Sequence, residues 1–176
     1  MYKNIVLAAC LLIMMATSAQ AQDVDSQIDD IKTALINSNF EGGLAQCKSL
    51  IEANMADTAQ LALVYGYAGF SSEALGQKDE ALNYYKNAVQ FHVPQLDIYD
   101  KLINLSKKAK NDSIYEFALL EKTKAFPEYN QDNTKSLAYH YINTQQYKKV
   151  ISTTDELLNW YPENVNYLYF RGIALQ

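Results

Sequence analysis

Two cysteines, two histidines, three prolines and six glycines in 176 residues leave little room for several kinds of chemistry. Cys10 lies in an apolar N-terminal segment and Cys47 in the body of the chain, so no disulfide framework holds this fold together. Cys47 sits on an apolar helical face, where a small packing residue is expected rather than a reactive thiol. His92 and His140 have no second histidine or cysteine at ligand spacing, and a zinc site needs three or four such ligands. The glycines form no phosphate loop, no dinucleotide fingerprint and no Gly-x-Ser-x-Gly elbow. The stretch DVDSQIDD, Asp23 to Asp30, lacks the central glycine and terminal glutamate of a calcium loop. It reads instead as the solvated acidic first turn of a helix. The sequence therefore offers no catalytic, cofactor-binding or metal-binding set, and the chain reads as a non-enzyme.

Positive charge is also short. Fifteen lysines and arginines face twenty acids, for a formal net charge of −5. An acidic surface repels phosphate backbones, so nucleic acid is not an expected partner. No small-molecule substrate is evident either.

What is present begins with the N-terminus. Residues 1–21 carry one charge, Lys3, then an uncharged apolar run from Ile5 to Ala16, and close on Ala19-Gln20-Ala21. That is the form of a secretory signal peptide, with cleavage expected after Ala21. The run is shorter than the roughly 20 apolar residues of a spanning helix. Removing it takes the net charge from −5 to −6. LAAC, Leu7 to Cys10, resembles a lipobox, but most of the apolar run follows the cysteine. Membrane attachment would then require a retained leader or a lipidated Cys10. The expected location is exported, periplasmic or envelope-associated.

The three prolines, Pro94, Pro127 and Pro162, stand 33 and 35 residues apart, each closing a helical-looking segment. Proline cannot continue a helix interior, so they punctuate similar units. In the clearest unit Tyr65, Gly69 and Ser72 mark one face of a first helix. A short turn follows at LGQKDEA, and Ala81, Tyr85 and Ala88 mark the facing stripe of a second helix. Small residues let the two helices approach closely, and Tyr85 fills the space beside them. The next unit places Tyr99, Leu102, Ile103 and Ser106 against Tyr115, Leu119 and Lys122. A further unit places Thr134, Leu137, Ala138 and Tyr141 against Val150, Thr154 and Leu157. Before them, Gly43, Cys47 and Leu50 follow a first helix near Ser26 to Asn37. Gly42-Gly43 costs about 1 kcal/mol per glycine relative to alanine, which predicts a frayed first unit. Helices should break near Phe40, Gly76, Lys110, Gln145 and the prolines.

With these spacings the chain resembles the tetratricopeptide repeat family, in its exported bacterial form. The family's unit is about 34 residues of helix–turn–helix. Its aromatic, Leu-Gly, aromatic, alanine, aromatic, alanine and proline positions are here Tyr65, Ala68-Gly69, Ser72, Ala81, Tyr85, Ala88 and Pro94. The resemblance implies an all-α fold, a right-handed solenoid of about four repeats plus one C-terminal helix. The units would run over 26–58, 62–95, 96–128 and 131–163, with a partial unit at 165–176, in one domain spanning 22–176. The apolar run Tyr167 to Leu175 is ill suited to a polar cap, which favours a truncated array whose last face demands a neighbour.

The resemblance further implies a non-catalytic scaffold that binds a protein or peptide in a concave groove lined by the first helix of each unit. Carried onto this chain, that groove takes in Gly66, Phe70 and Glu73, then Asp100, Asn104, Lys107 and Lys108, then Lys135, Tyr139 and Asn143, and finally Tyr169. Lys107, Lys108 and Lys135 would form a basic spot suited to a carboxylate or acidic segment. Of the fourteen tyrosines, Tyr85, Tyr99, Tyr115, Tyr141 and Tyr147 fall on packing positions. Tyr67, Tyr84, Tyr139, Tyr161 and Tyr169 fall off the seam. Two alternatives stay open: the repeat module of a longer envelope enzyme or nutrient-uptake component, and a subunit of an outer-membrane assembly machine tethered through Cys10.

Overall fold

A computed structural model describes residues 23–53 and 56–176. The leader, its cleavage point and Cys10 lie outside the described residues. Within them the chain is helical, without strands. Helix α1 covers residues 23–36. It is followed by α2 (Phe40–Ala53), α3 (Thr58–Ala74), α4 (Lys78–Gln90), α5 (Leu96–Lys108) and α6 (Asp112–Ala125). A short 3-10 turn, Pro127–Tyr129, leads into α7 (Asn130–Asn143), α8 (Tyr147–Trp160) and α9 (Val165–Ala174). None of the described helices is long and apolar enough to cross a membrane. Two compact units divide between Val93 and Pro94.

Turn chemistry sets the helix ends. Ser38, Gly76, His92, Lys110 and Gln145 all have φ between 53° and 75°. In each case the next residue's N–H reaches back five residues, as in Gln77 to Ser72 at 2.8 Å and Asn111 to Ser106 at 2.9 Å. This Schellman closure satisfies carbonyls that the helix end leaves free and reverses the chain sharply. Glycine provides it once; elsewhere serine, histidine, lysine and glutamine accept the left-handed conformation.

In the first unit, Val24, Ile28 and Ile31 of α1 meet Leu44, Cys47 and Leu50 of α2 and Val64 and Ala68 of α3. Each fully buried aliphatic side chain of this kind contributes about 1.5–3 kcal/mol. The expected fraying of α2 is not observed, because its glycine sits where a close approach needs it. A Cβ on buried Gly43 would stand 3.0 Å from Leu35 and 3.5 Å from Ser71 Oγ. Asn39 also caps the helix, accepting from the Gly42 N–H at 3.1 Å. Helix α3 opens with a reciprocal capping box. The Gln60 N–H donates to Asp57 Oδ1 at 2.8 Å, and the Asp57 N–H donates to Gln60 Oε1 at 2.9 Å. The pairing of α3 with α4 rests on Gly69, where a Cβ would fall 2.5 Å from the Tyr85 ring. Tyr85 is fully buried and donates its hydroxyl to Glu73 at 2.8 Å.

The second unit packs larger side chains. Leu119, Leu137, Tyr141 and Val150 form one cluster, joined by Ile103 and Tyr115. Ala138, Leu157 and Tyr167 form another, joined by Tyr161. Glu116 ties three helices together, accepting from Tyr141 at 3.0 Å and from Lys149 at 2.6 Å. Burial works against its charge, but those two donors outweigh it and hold its carboxyl below the usual range. Burial and the adjacent Glu116 push the Tyr141 hydroxyl well above the usual phenol range.

Four tyrosines are placed differently from expectation. Tyr147 is 43 % exposed, since it opens α8 rather than entering the seam. Tyr67, Tyr84 and Tyr161, read as off the seam, are partly buried and pack onto core clusters.

Candidate functional site

The residues named from sequence separate into those held by structural contacts and those left at the surface. Gly66 is buried and offers no binding surface. Glu73 is half-buried beneath the Tyr85 hydroxyl. Phe70 is 39 % exposed and packs edge-on against Phe40, with centroids 5.9 Å apart. Asp100 is drawn into an ion pair with Lys122 at 2.6 Å. The Lys122 ammonium also lies 4.5 Å from the centre of the Tyr129 ring. Asn104, Lys107, Lys108, Tyr139, Asn143 and Tyr169 are exposed.

The expected basic spot of Lys107, Lys108 and Lys135 is divided. Lys107 and Lys108 end α5, but Lys135 turns to its own surroundings. It pairs with Asp132 at 3.3 Å and covers the Tyr161 ring at 4.9 Å. A hydrogen bond to Tyr161 and the Asp132 pair hold its ammonium above the usual pKa.

The structure does bring Lys107, Tyr139 and Asn143 together, with Lys110, Asp112 and His140, around an open cleft of about 550 Å³. Local turn geometry builds it. Helix α5 ends at Lys108, the left-handed Lys110 reverses the chain, and Asn111 caps α6 by accepting from the Ile114 N–H at 3.1 Å. This places Lys107, Lys110 and Asp112 around one end of the cleft. The last turns of α7 supply Tyr139, His140 and Asn143. Beside the cleft, Tyr139 packs edge-on against Phe170 of α9, with centroids 5.1 Å apart.

His140 is the least ordinary of these groups. Its side chain is 6 % exposed, and Nδ1 lies 3.9 Å from Asp112 Oδ1. Its ring packs on Tyr115 and Tyr141 at 5.3 and 5.6 Å. Nε2 is buried without a hydrogen-bond partner. Lys107 and Lys110, like Lys108 and Lys148, have no ion pair among the described residues, whereas Lys122, Lys124, Lys135, Lys149 and Arg171 of the same unit are each paired with a carboxylate. Sequence reasoning named Lys107, Tyr139 and Asn143 for this surface but missed Lys110, Asp112 and His140. Lys110 reads only as a turn residue, and His140 only as a histidine lacking a metal partner.

Among the described residues no three histidines, cysteines or acids could hold a metal ion. Cys47 is far from reactive, because burial pushes its thiol up to about 12. The arrangement can bind through charge, hydrogen bonds and aromatic faces.

No protein-family model and no curated protein matches the sequence. Solved structures do. The MamA protein superposes with a TM-score of 0.53 at 15 % identity, over 86 % of this chain and 80 % of that one. YrrB, described as a TPR protein with an unusual peptide-binding site, gives 0.51 at 16 %, over 84 % and 74 %. A tetratricopeptide repeat protein from Parabacteroides merdae gives 0.55 at 16 %, over 88 % of this chain and 59 % of that one. At such identities the likeness speaks for the backbone alone, and it agrees with helices paired through short turns at intervals of about 34 residues: the chain has the tetratricopeptide-repeat fold.

Proposed function

We propose that this protein is a non-catalytic, exported scaffold that binds a protein or peptide on the surface presented by its first helices. The observation that carries the reading is the juxtaposition of a polar cleft with exposed aromatic side chains that have little structural work. Tyr139 and Tyr169 are 46 % and 64 % exposed, and both border Phe170. Aromatic faces beside a few convergent polar groups are the usual anchors of a bound chain. YrrB, of the same fold, has a peptide-binding site by its own description, which supports the same use here. Export rests on the form of residues 1–21.

A peptide-display selection on the purified protein tests this reading. Enriched peptides should bind the wild type and lose about tenfold in affinity with Tyr139→Ala, since an aromatic anchor is worth more than 1 kcal/mol. Tyr147→Ala, on an exposed ring outside the cleft, should change nothing. No enrichment, or equal binding by both variants, overturns it. Export is checked separately by the N-terminal mass of protein from expressing cells, which should begin at Gln22.

A second reading places the repeats inside a larger envelope assembly. It draws on α9 and its C-cap, where Val165, Leu168, Tyr169 and Leu175 are 75, 49, 64 and 59 % exposed. A surface that apolar suits a further helix or a partner subunit. Cross-linking from a photoreactive residue at Leu168 in cells would capture that neighbour; no adduct would remove the reading.

A further inference from the structure

We propose that a second copy of this chain covers the open face of α9, the two α9 helices pairing antiparallel about a twofold axis near residue 170. This deepens the reading in which α9 meets a neighbour, and rests on it.

The face is one that the fold elsewhere covers with a helix. Helix α7 turns Gln131, Ala138 and Tyr141 toward α8. Gln131 accepts from the Tyr161 hydroxyl at 2.8 Å, Ala138 clusters with Leu157, and Tyr141 clusters with Val150. A shift of 34 residues carries these positions, with Thr134 between them, onto Val165, Leu168, Gly172 and Leu175 of α9 and its C-cap. Thr134, Ala138 and Tyr141 are 4, 0 and 4 % exposed, whereas Leu168 and Leu175 are 49 and 59 % exposed and Gly172 is open to solvent.

Gly172 points to an occupant that comes close. It lies inside a helix, where glycine is destabilising relative to alanine. At Gly43 and Gly69 near neighbours explain the choice, since an added Cβ would stand 3.0 Å from Leu35 and 2.5 Å from the Tyr85 ring. A Cβ on Gly172 would meet nothing within 4 Å, and its φ is not positive. Its own unit does not call for glycine there; a side chain arriving from outside does.

The order of side chains along the stripe makes α9 complementary to itself. In an antiparallel pair centred on residue 170, Leu168 projects onto Gly172 of the second copy. One turn further out, Val165 meets Leu175 of the second copy. Both contacts occur twice, as an isologous interface requires. The second α9 then runs against the first as α8 runs against α7, and its Leu168 takes the part that Leu157 plays over Ala138. Tyr169, 64 % exposed, flanks the crossing.

Charge permits this pairing, and area sets its strength. The stripe carries no charged residue, and Arg171, the single charge of α9, is held by Asp155 of α8, so no ion is stripped of water. A face of three turns falls short of the roughly 800 Å² per partner of a standard interface, so a weak dimer is expected, with a Kd on the order of 10–100 μM. Each copy carries a net charge of −5, and screening of that repulsion should tighten the dimer as salt rises.

Sedimentation equilibrium tests the pairing. Over about 5–500 μM, a range that brackets the expected Kd, the mass should climb from one copy toward two, and further at high salt than at low. Leu168→Glu should remain a single copy. Gly172→Leu should weaken the dimer about tenfold by setting two leucines in one space. The same substitution should raise the thermal midpoint of the dilute protein, because leucine favours a helix more than glycine does. The double variant, Leu168→Ala with Gly172→Leu, exchanges bump and gap and should recover affinity to within about threefold of wild type. In a Cys10→Ser background the remaining Cys47 is buried. There, a mixture of Leu168→Cys and Gly172→Cys proteins should form disulfide-linked pairs in larger yield than either protein alone. A single-copy mass at every concentration overturns the proposal. So does association that Leu168→Glu leaves intact, or a double variant no better than Gly172→Leu. The broader reading is decided apart from these outcomes. Capture of a different protein from a photoreactive residue at Leu168 in cells keeps the neighbour and removes the second copy, and capture of nothing ends both.

Discussion

The α3–α4 pair and the α5–α6 pair answer one packing problem in opposite ways. A shift of 34 residues matches Gly69 with Ile103, Tyr85 with Leu119, Gly66 with Asp100 and Ala88 with Lys122. In the first pair glycine leaves a gap and a fully buried tyrosine fills it, so close that a Cβ would stand 2.5 Å from the ring. In the second pair isoleucine takes the gap and the smaller leucine faces it, 2 % exposed. Beside this, Gly66 and Ala88 give way to Asp100 and Lys122, joined by an ion pair. Bulk at the seam can therefore sit on either helix.

The largest effect expected tests that exchange directly. Gly69→Ile alone should destabilise by about 3 kcal/mol or more, because overpacking costs typically 1–3 kcal/mol and the Tyr85 ring leaves no room. Adding Tyr85→Leu transplants the other pair's arrangement and should recover most of the loss. Urea midpoints for the two single variants and the double variant give the coupling energy. Additive effects would mean that the two positions do not share one space.

How far the fold could be read from residues alone follows from the same comparison. The helices and their breaks at Gly76, Lys110 and Gln145 were legible because proline spacing, small-residue stripes and turn lengths are local signals. Polar pairings between helices were not. Lys122 at an alanine position looks like a defect until its partner, 22 residues away, is known. Lys135 was grouped with Lys107 by the groove that the family resemblance implies, yet its long side chain pairs with Asp132 and Tyr161. The same limit hid His140 from the candidate site: its importance lies in what surrounds the ring, which no motif marks.

Lys122 provides the next test. Its side chain is 10 % exposed and that of Asp100 is 48 % exposed, so the stem is buried while the charged end meets a carboxylate that still reaches water. Lys122→Ala should cost about 2 kcal/mol through the lost stem and the space it leaves. Lys122→Met keeps most of the stem and should cost less than about 1 kcal/mol, since Asp100 can be solvated. Equal losses would show that the charge, rather than the volume, holds this seam.

A smaller effect separates the two buried tyrosine–glutamate contacts, Tyr85 with Glu73 and Tyr141 with Glu116. The folded pKa of Glu116 is depressed, with burial opposed and outweighed by Lys149 and Tyr141. A depressed acid stabilises the fold above its unfolded value, about 4.3 for glutamate, and loses that contribution as pH falls through the folded value. Glu116→Gln should therefore lower the melting temperature at pH 7 and much less near pH 3, consistent with about 1 kcal/mol at neutral pH. An equal loss at both pH values would assign the effect to shape.

The smallest effect concerns the turns that close α3 and α7. Gly76 and Gln145 occupy the same left-handed position, with φ of 75° and 57°, and both are followed by the same backward hydrogen bond. An L-residue in that conformation costs roughly 1–2 kcal/mol because its Cβ crowds the following carbonyl. Glycine avoids the crowding but loses more freedom on folding, which cancels part of the gain. Gly76→Ala should thus destabilise by about 1 kcal/mol, although no atom lies within 4 Å of the added Cβ. Gln145→Gly should stabilise by about 0.5–1 kcal/mol. The two substitutions act at exposed positions in separate units, so opposite shifts of similar size in urea midpoints would isolate the backbone term from packing. A lowered midpoint for Gln145→Gly would mean that the glutamine side chain contributes a contact worth more than the strain its backbone bears.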